Sequence, residues 1–151
     1  MKSDDKQCVM EIISKYGVSA LKDIILNYED DRLDEGVLTI VSNFGMHPIP
    51  ENFTFGELYI ASNGSLDFSN IESVNRELDL IVVNLQKKLF ERKWNKIYLI
   101  PFGHSVISLN IKMVVFRILR IETIDIFYFG EGKYGAIDRD TRRFLADNFP
   151  Y

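Results

Sequence analysis

The sequence predicts an α/β domain with a Rossmann-like three-layer architecture and a mainly parallel sheet. From residue 57 onward, short β-rich runs alternate with two long helical patterns, the order expected for parallel strands joined by helical crossovers. The 151 residues, of which 46% are hydrophobic and 26% charged, fit a single globular domain. We expect an N-terminal helical hairpin over residues 1–35 and an α/β body over residues 36–151.

The apolar spacing predicts the elements in chain order. In the hairpin, apolar residues recur at intervals of three and four within residues 5–15 and 19–28, which indicates two short helices. Turn residues bound β-rich runs that predict strands at residues 37–41, 57–61, 96–100 and 123–129, with an edge strand at 134–137.

Three helices are predicted in the body. A 3.6-residue period runs from about 71 to 92, and Asp67, Ser69 or Asn70 is available to cap that helix. A terminal helix to about residue 147 is capped by Asp138 or Asp140. The helix at 104–119 is apolar over more than half of its circumference, so we expect it to be covered on two sides. Its apolar residues are Val106, Leu109, Ile111, Val114, Val115 and Ile118.

Composition and charge exclude several classes of function. With a net charge of −4 the chain has no overall field to attract a phosphate backbone, so non-specific nucleic-acid binding is not expected. A lone Cys8 excludes an internal disulfide, and neither a secretion signal nor an apolar run of about 20 residues is present. We therefore expect a cytoplasmic protein without a membrane span.

A basic cluster lies in the C-terminal third of the chain. These residues either contact a small anion or lie on solvent-exposed helix faces. Its members are Lys112, Arg117, Arg120, Arg139, Arg142 and Arg143.

Two turns are the candidate ligand-binding residues. In an open parallel sheet, ligands bind at the carboxyl ends of the strands, where helix N-termini present unpaired N–H groups. The first turn is Ser62, Asn63, Gly64 and Ser65, and the second is Phe102, Gly103, His104 and Ser105. We expect the two turns to lie side by side and to bind an anion. The alternative is that tight turns simply require glycine and that Ser105 only caps its helix.

Motifs for catalysis and for cofactors are missing. The passage Gly103-His104-Ser105 resembles half of a nucleophile elbow, but Ile107 stands where the second glycine belongs and no histidine follows the serine. His47 is expected to be exposed. The chain has no G-x-G-x-x-G, no phosphate-binding P-loop and no metal-ligand pair, so neither a cofactor nor a metal is predicted.

Residues from 96 to about 140 resemble the CARF and SAVED sensor modules of prokaryotic antiviral defence. The resemblance rests on the strand at 96–100, the turn Pro101-Phe102-Gly103-His104-Ser105, the long apolar helix and the strand at 124–129. It implies binding of a cyclic or linear oligonucleotide messenger, often across a subunit interface. Such modules usually accompany an effector domain, and this chain has no room for one.

Three classes of function follow. The first is a non-catalytic module that senses a small anionic, nucleotide-like molecule, as a homodimer or in a complex with an effector protein. The second is an immunity-type protein that inhibits or scaffolds a partner, with aromatic anchors at Trp94, Phe53, Phe55 and Tyr151. A small enzyme is third, because no acid–base or nucleophile pair can be recognised.

Overall fold

The computed structural model describes residues 36–45 and 47–149, with four positions before them. The chain divides at Gly36, and the body that begins there is described by itself. Apart from those four positions, the predicted helical hairpin lies outside the described residues, as does Tyr151.

A five-stranded sheet forms the centre of the body. Its strands are β1 (Val37–Val41), β2 (Glu57–Ile60), β3 (Lys96–Ile100), β4 (Ile124–Gly130) and β5 (Lys133–Ile137). They are arranged in the order β2-β1-β3-β4-β5. The pairs β1–β2, β1–β3 and β3–β4 are parallel, and the pair β4–β5 is antiparallel. The predicted α/β class and mainly parallel sheet are therefore confirmed.

In the described part of the body, three α-helices accompany the sheet: α1 (Ile71–Phe90), α2 (Ser105–Leu119) and α3 (Thr141–Asn148). Asn70 caps α1, because its side-chain oxygen accepts a hydrogen bond from the Ser73 backbone N–H at 2.9 Å. Asp140 caps α3 in the same way through the backbone N–H of Arg143. Among the caps that the sequence offered, the structure uses these two.

The main core lies between α1, α2 and one face of the sheet. Ile81, Leu85 and Leu89 of α1 meet Ile107, Ile111 and Val115 of α2 over the central strands. Both helices therefore cover the same face, as right-handed crossovers require when β3 and β4 are added in one direction. Every residue of β1 is buried, because this strand is covered on both faces.

The opposite face carries an irregular third layer. The segment between β1 and β2 contains a short 3₁₀ turn, Glu51–Phe53, and lays aromatic rings on Val41, Ile100 and Ile126. Thr39 of β1 ties this segment down, since its hydroxyl donates to the Phe55 carbonyl at 2.7 Å and accepts from the Phe55 N–H at 2.8 Å. Within the described residues, no α-helix lies in this layer.

The described residues cover helix α2 on one side, so they do not supply the second cover that its apolar breadth predicts. Its inner row is fully buried, and Val106, Val114 and Ile118 pack against the edge of the core. On the outer side, however, Leu109 is 59% exposed and Met113 is 69% exposed. Apolar breadth in the sequence shows which surface avoids water, but it does not show that the same chain supplies the cover.

Candidate functional site

The strand order creates a crevice between β1 and β3. The chain leaves β1 toward β2 on one side and leaves β3 toward β4 on the other, so the loops after these adjacent strands diverge. In open α/β sheets this switch point at the carboxyl ends of the strands is where ligands bind.

Hydrogen bonds join the loops that follow β1, β2 and β3. The Ser42 hydroxyl donates to the carbonyl of Phe102, and the Ser62 hydroxyl lies 2.6 Å from the Ser42 carbonyl oxygen. The Asn43 amide donates to the Gly64 carbonyl at 3.1 Å. Because each loop is bonded to its neighbour, the carboxyl edge presents polar groups whose positions are fixed by the fold.

A cavity of about 440 Å³ opens at this point. Its volume lies within the roughly 300–1,000 Å³ that is usual for small-molecule sites. The walls come from all three loops and contain Asn43, His47, Gly64, Ser65, Leu66, Gly103 and His104.

Four of the eight predicted site residues line this cavity, namely Gly64, Ser65, Gly103 and His104. The two predicted turns are thus neighbours at one edge. The other four do not line it. The Ser62 hydroxyl donates to the loop after β1, and Asn63 forms an isolated β-bridge with Phe44. Ser105 is the first residue of α2, and Phe102 lines an adjoining cavity. Ser105 does not cap α2, because the capping position belongs to His104.

Gly64 and Gly103 both have positive φ angles, of 73° and 83°. A Cβ atom on Gly64 would meet nothing within 4 Å, which means that the backbone there is open to an approaching ligand. A Cβ atom on Gly103 would lie 2.8 Å from Cβ of Asn43, so this glycine is needed for the loop itself. A bulky residue at Gly103 would therefore disturb the fold as well as the cavity.

The N-terminus of α2 borders the cavity without a side-chain cap. His104 makes no capping hydrogen bond, and the first turn of α2 contains no acidic residue. The helix dipole places roughly half a positive charge at such an end. The His104 ring packs against Phe68, with ring centroids 4.7 Å apart.

A second cavity, of about 630 Å³, adjoins the first and shares His47 and Gly103 with it. Its lining includes Pro101, Phe102 and the tyrosine pair Tyr128 and Tyr134, whose ring centroids are 5.1 Å apart. No Asp, Glu, Lys or Arg side chain of the described residues lines either cavity. The edge therefore offers backbone and neutral polar groups next to flat aromatic surfaces.

Asp67 is the acidic residue nearest in sequence to the cavity lining. The hydroxyl and backbone N–H of Ser69 both donate to its carboxylate, and these hydrogen bonds hold the pKa of Asp67 below its usual value. The carboxylate is thus engaged within its own turn.

Sequence reasoning missed Asn43 as a site residue. The available signal was its position directly after β1, because the carboxyl end of a central strand belongs to the same edge as the two predicted turns. His47 is exposed, as predicted, yet it lines both cavities. Only the folding of its loop over the sheet reveals this placement.

The basic cluster does not join the site. Lys112 pairs with Asp125, and the Arg142 guanidinium lies over the Phe116 ring at 4.9 Å. Arg120, Arg139 and Arg142 line a separate cavity together with acidic residues, near the start of β4. Since α2 ends and β4 begins there, these arginines lie at the amino edge of the parallel strands.

The predicted aromatic anchors Trp94, Phe53 and Phe55 are not exposed side chains. Trp94 is only 4% exposed, because it packs into the core with its indole N–H directed to the Lys88 carbonyl and Arg92 stacked on its ring. Phe53 and Phe55 are half-buried against the irregular layer. The interaction-protein hypothesis therefore loses the three predicted anchors that lie within the described residues.

Comparison with known proteins gives no relative. No family model, no curated protein and no solved structure matches the chain. Among the described residues, no helix is long and apolar enough to cross a membrane. The same residues contain no group of three or more His, Cys, Asp or Glu side chains able to hold a metal ion.

Proposed function

We propose that this chain is a Rossmann-like, non-catalytic module that binds a small anionic, nucleotide-like ligand at the carboxyl edge of its sheet. The observation that carries the proposal is the cavity at the β1/β3 switch point, which meets the uncapped N-terminus of α2. Unpaired N–H groups at a helix N-terminus and a favourable dipole are a general device for binding phosphate.

The adjoining aromatic cavity supports a ligand with a flat ring. If the phosphate of the ligand lies against Gly64 and His104, the rest of the ligand lies near His47 and Gly103, which line both cavities. Aromatic and apolar linings with few polar groups are typical of small-molecule sites. A sensor of this kind agrees with what the resemblance to CARF and SAVED modules implies, including a place in antiviral defence.

A charge-sign experiment at Ser65 tests the proposal. Ser65 is exposed and lines the cavity. Thermal unfolding is measured with a cyclic dinucleotide, a linear trinucleotide, AMP and inorganic phosphate. A probe at 100 times its dissociation constant should stabilise the wild type by about 2.7 kcal/mol.

Two variants of nearly equal size separate charge from shape. Ser65→Asp places a negative charge beside the proposed anion and should abolish the stabilisation, whereas Ser65→Asn should keep most of it. His104→Ala should weaken it as well. Absence of a shift with every probe, or equal shifts for both Ser65 variants, would refute the anion site. The immunity-type protein that inhibits or scaffolds a partner would then be the better hypothesis.

A further inference from the structure

One end of the sheet presents a continuous apolar surface. Asp125 and Phe127 of β4 lie on the face that α1 and α2 cover elsewhere, and Ile137 of β5 lies opposite Asp125 on that same face. The Phe129 ring lies there too, because its centroid is 5.0 Å from that of Phe127 and it stands beside Gly135, the partner of Phe127. Phe127, Phe129 and Ile137 are 49%, 66% and 45% exposed. Within the described residues, then, the helix layer stops short of the β4–β5 hairpin.

The bare hairpin continues into the outer side of α2. Lys112 reaches across to the carboxylate of Asp125, so the neighbours of these two residues lie next to each other. Leu109 and Met113, one helical turn apart, form an exposed apolar ridge beside this pair. We call the ridge and the hairpin face together the α2–hairpin surface; it comprises Leu109, Met113, Phe127, Phe129 and Ile137.

We propose that a second copy of this chain docks on the α2–hairpin surface, with the α2 ridge of each copy packed on the hairpin face of the other. A two-fold interface brings the same patch of both subunits together, so the patch must contain two complementary parts. The projecting ridge on α2 and the uncovered flat hairpin face are such parts. The mutual arrangement gives each hairpin the helical cover that its own chain does not provide among the described residues.

Charge is compatible with self-association. Like charges meet across a two-fold axis, which disfavours pairing of any patch with a net charge. The charged side chains at the centre of this surface, Lys112 and Asp125, neutralise each other within one chain. A second copy therefore meets no uncompensated charge there.

The exposed area is also sufficient. The exposed fractions of the five side chains correspond to roughly 500–600 Å² of surface, the upper end of the largest patch on a typical monomer. Complete burial of these residues in both copies would remove about 1,000–1,200 Å², which reaches the roughly 1,000 Å² that a biological interface should clear. A groove of about 430 Å³ beside Met113 and Phe116 offers space for a partner side chain.

Sedimentation analysis of the full chain at tens of micromolar tests the proposal. The wild type should sediment as a dimer. Met113→Glu places a charge on the ridge, and Phe127→Arg places one on the face. Each variant should raise the dissociation constant of the dimer about 30-fold or more, because two unpaired charges would be buried in the interface. Leu80→Glu is the matched control, since Leu80 is 56% exposed on α1 outside the surface, and it should remain dimeric.

Mixing the two charged variants tests the geometry. In a heterodimer the acidic ridge of the Met113→Glu chain meets the basic face of the Phe127→Arg chain. The remaining ridge and the remaining face are both wild type, so an equal mixture should recover the dimer.

A wild type that stays monomeric at 100 µM overturns the proposal, as does a dimer that both charged variants leave intact. Two monomeric variants that fail to pair on mixing would refute the ridge-on-face arrangement. Thermal unfolding of each variant confirms that it is folded. None of these outcomes depends on the ligand probes of the preceding subsection.

Discussion

The two lateral ends of the sheet differ in how far helices cover them. At the β2 end, α1 lies over the strands, Trp94 is buried, and Glu57 receives ion pairs from Lys88 and Arg92. At the β5 end, Phe127 and Phe129 face outward with no described helix above them. On the face that the helices cover, the sheet is thus a closed core at the β2 end and an open surface at the β5 end; Leu58 and Ile60 of β2, on the opposite face, are 41% and 40% exposed.

This difference separates residues that hold the fold from residues available for recognition. The buried side chains between α1 and the strands β1 and β3 are held by neighbours on several sides, so substitutions there should lower the stability of the fold. Changes of the same chemistry on the α2–hairpin surface should leave the isolated chain folded. The contrast can be tested with matched substitutions at the two ends.

The largest difference is expected between two leucines. Leu85→Ala on α1 removes a fully buried side chain and should lower the free energy of unfolding by about 2–5 kcal/mol. Leu109→Ala on α2 removes a side chain that is 59% exposed and should change it by less than about 0.5 kcal/mol. Urea unfolding followed by fluorescence of the single tryptophan, at low protein concentration, measures both. Similar losses would mean that the β5 end is part of the core.

Two glycines give the next contrast. Gly56, just before β2, has φ of 63°, and a Cβ there would lie 2.3 Å from the Val37 carbonyl oxygen. Gly56→Ala should therefore destabilise by about 2–4 kcal/mol. At Gly135 the added Cβ would meet the ring of Phe129 at 2.6 Å, but that ring is 66% exposed and can turn away. Gly135→Ala should stay within about 1 kcal/mol; a larger loss would show that the Phe129 ring is fixed.

The smallest effect concerns the charges at the two ends. A hydrogen bond from Lys88, more than any other interaction, lowers the pKa of Glu57 below 4.5. Stability from this carboxylate is present above pH 4.5 and is lost as the pH falls through the lowered pKa.

Glu57→Gln should therefore be less stable than wild type near neutral pH, by under about 1 kcal/mol because the pair is partly exposed, and the difference should vanish in acid. Glu131→Gln is the control at the β5 end, since the Glu131–Lys133 pair is almost fully exposed and its loss should not be measurable. Unfolding curves between pH 3 and 7 would contradict this explanation if the Glu57 difference did not depend on pH.

The sequence by itself determined the elements of the body and their class. Periodic helices and β-rich runs bounded by turn residues are local signals, so β1 and β3 were predicted with the bounds that the structure has. Right-handed crossovers then made a parallel sheet the natural arrangement. From that arrangement followed the expectation that the turns at Gly64 and Gly103 meet at one edge, which they do.

The tertiary structure decided what no local pattern encodes. The insertion of β1 between β2 and β3 brings Asn43 into the cavity, and the folded loop brings His47 there. Apolar residues look alike in sequence whether they are covered or not, so Trp94 was expected at a surface and Leu109 under cover, and the structure reverses both. Burial depends on which neighbours the whole chain places around a residue, and that is a property of the assembled layers rather than of any one element.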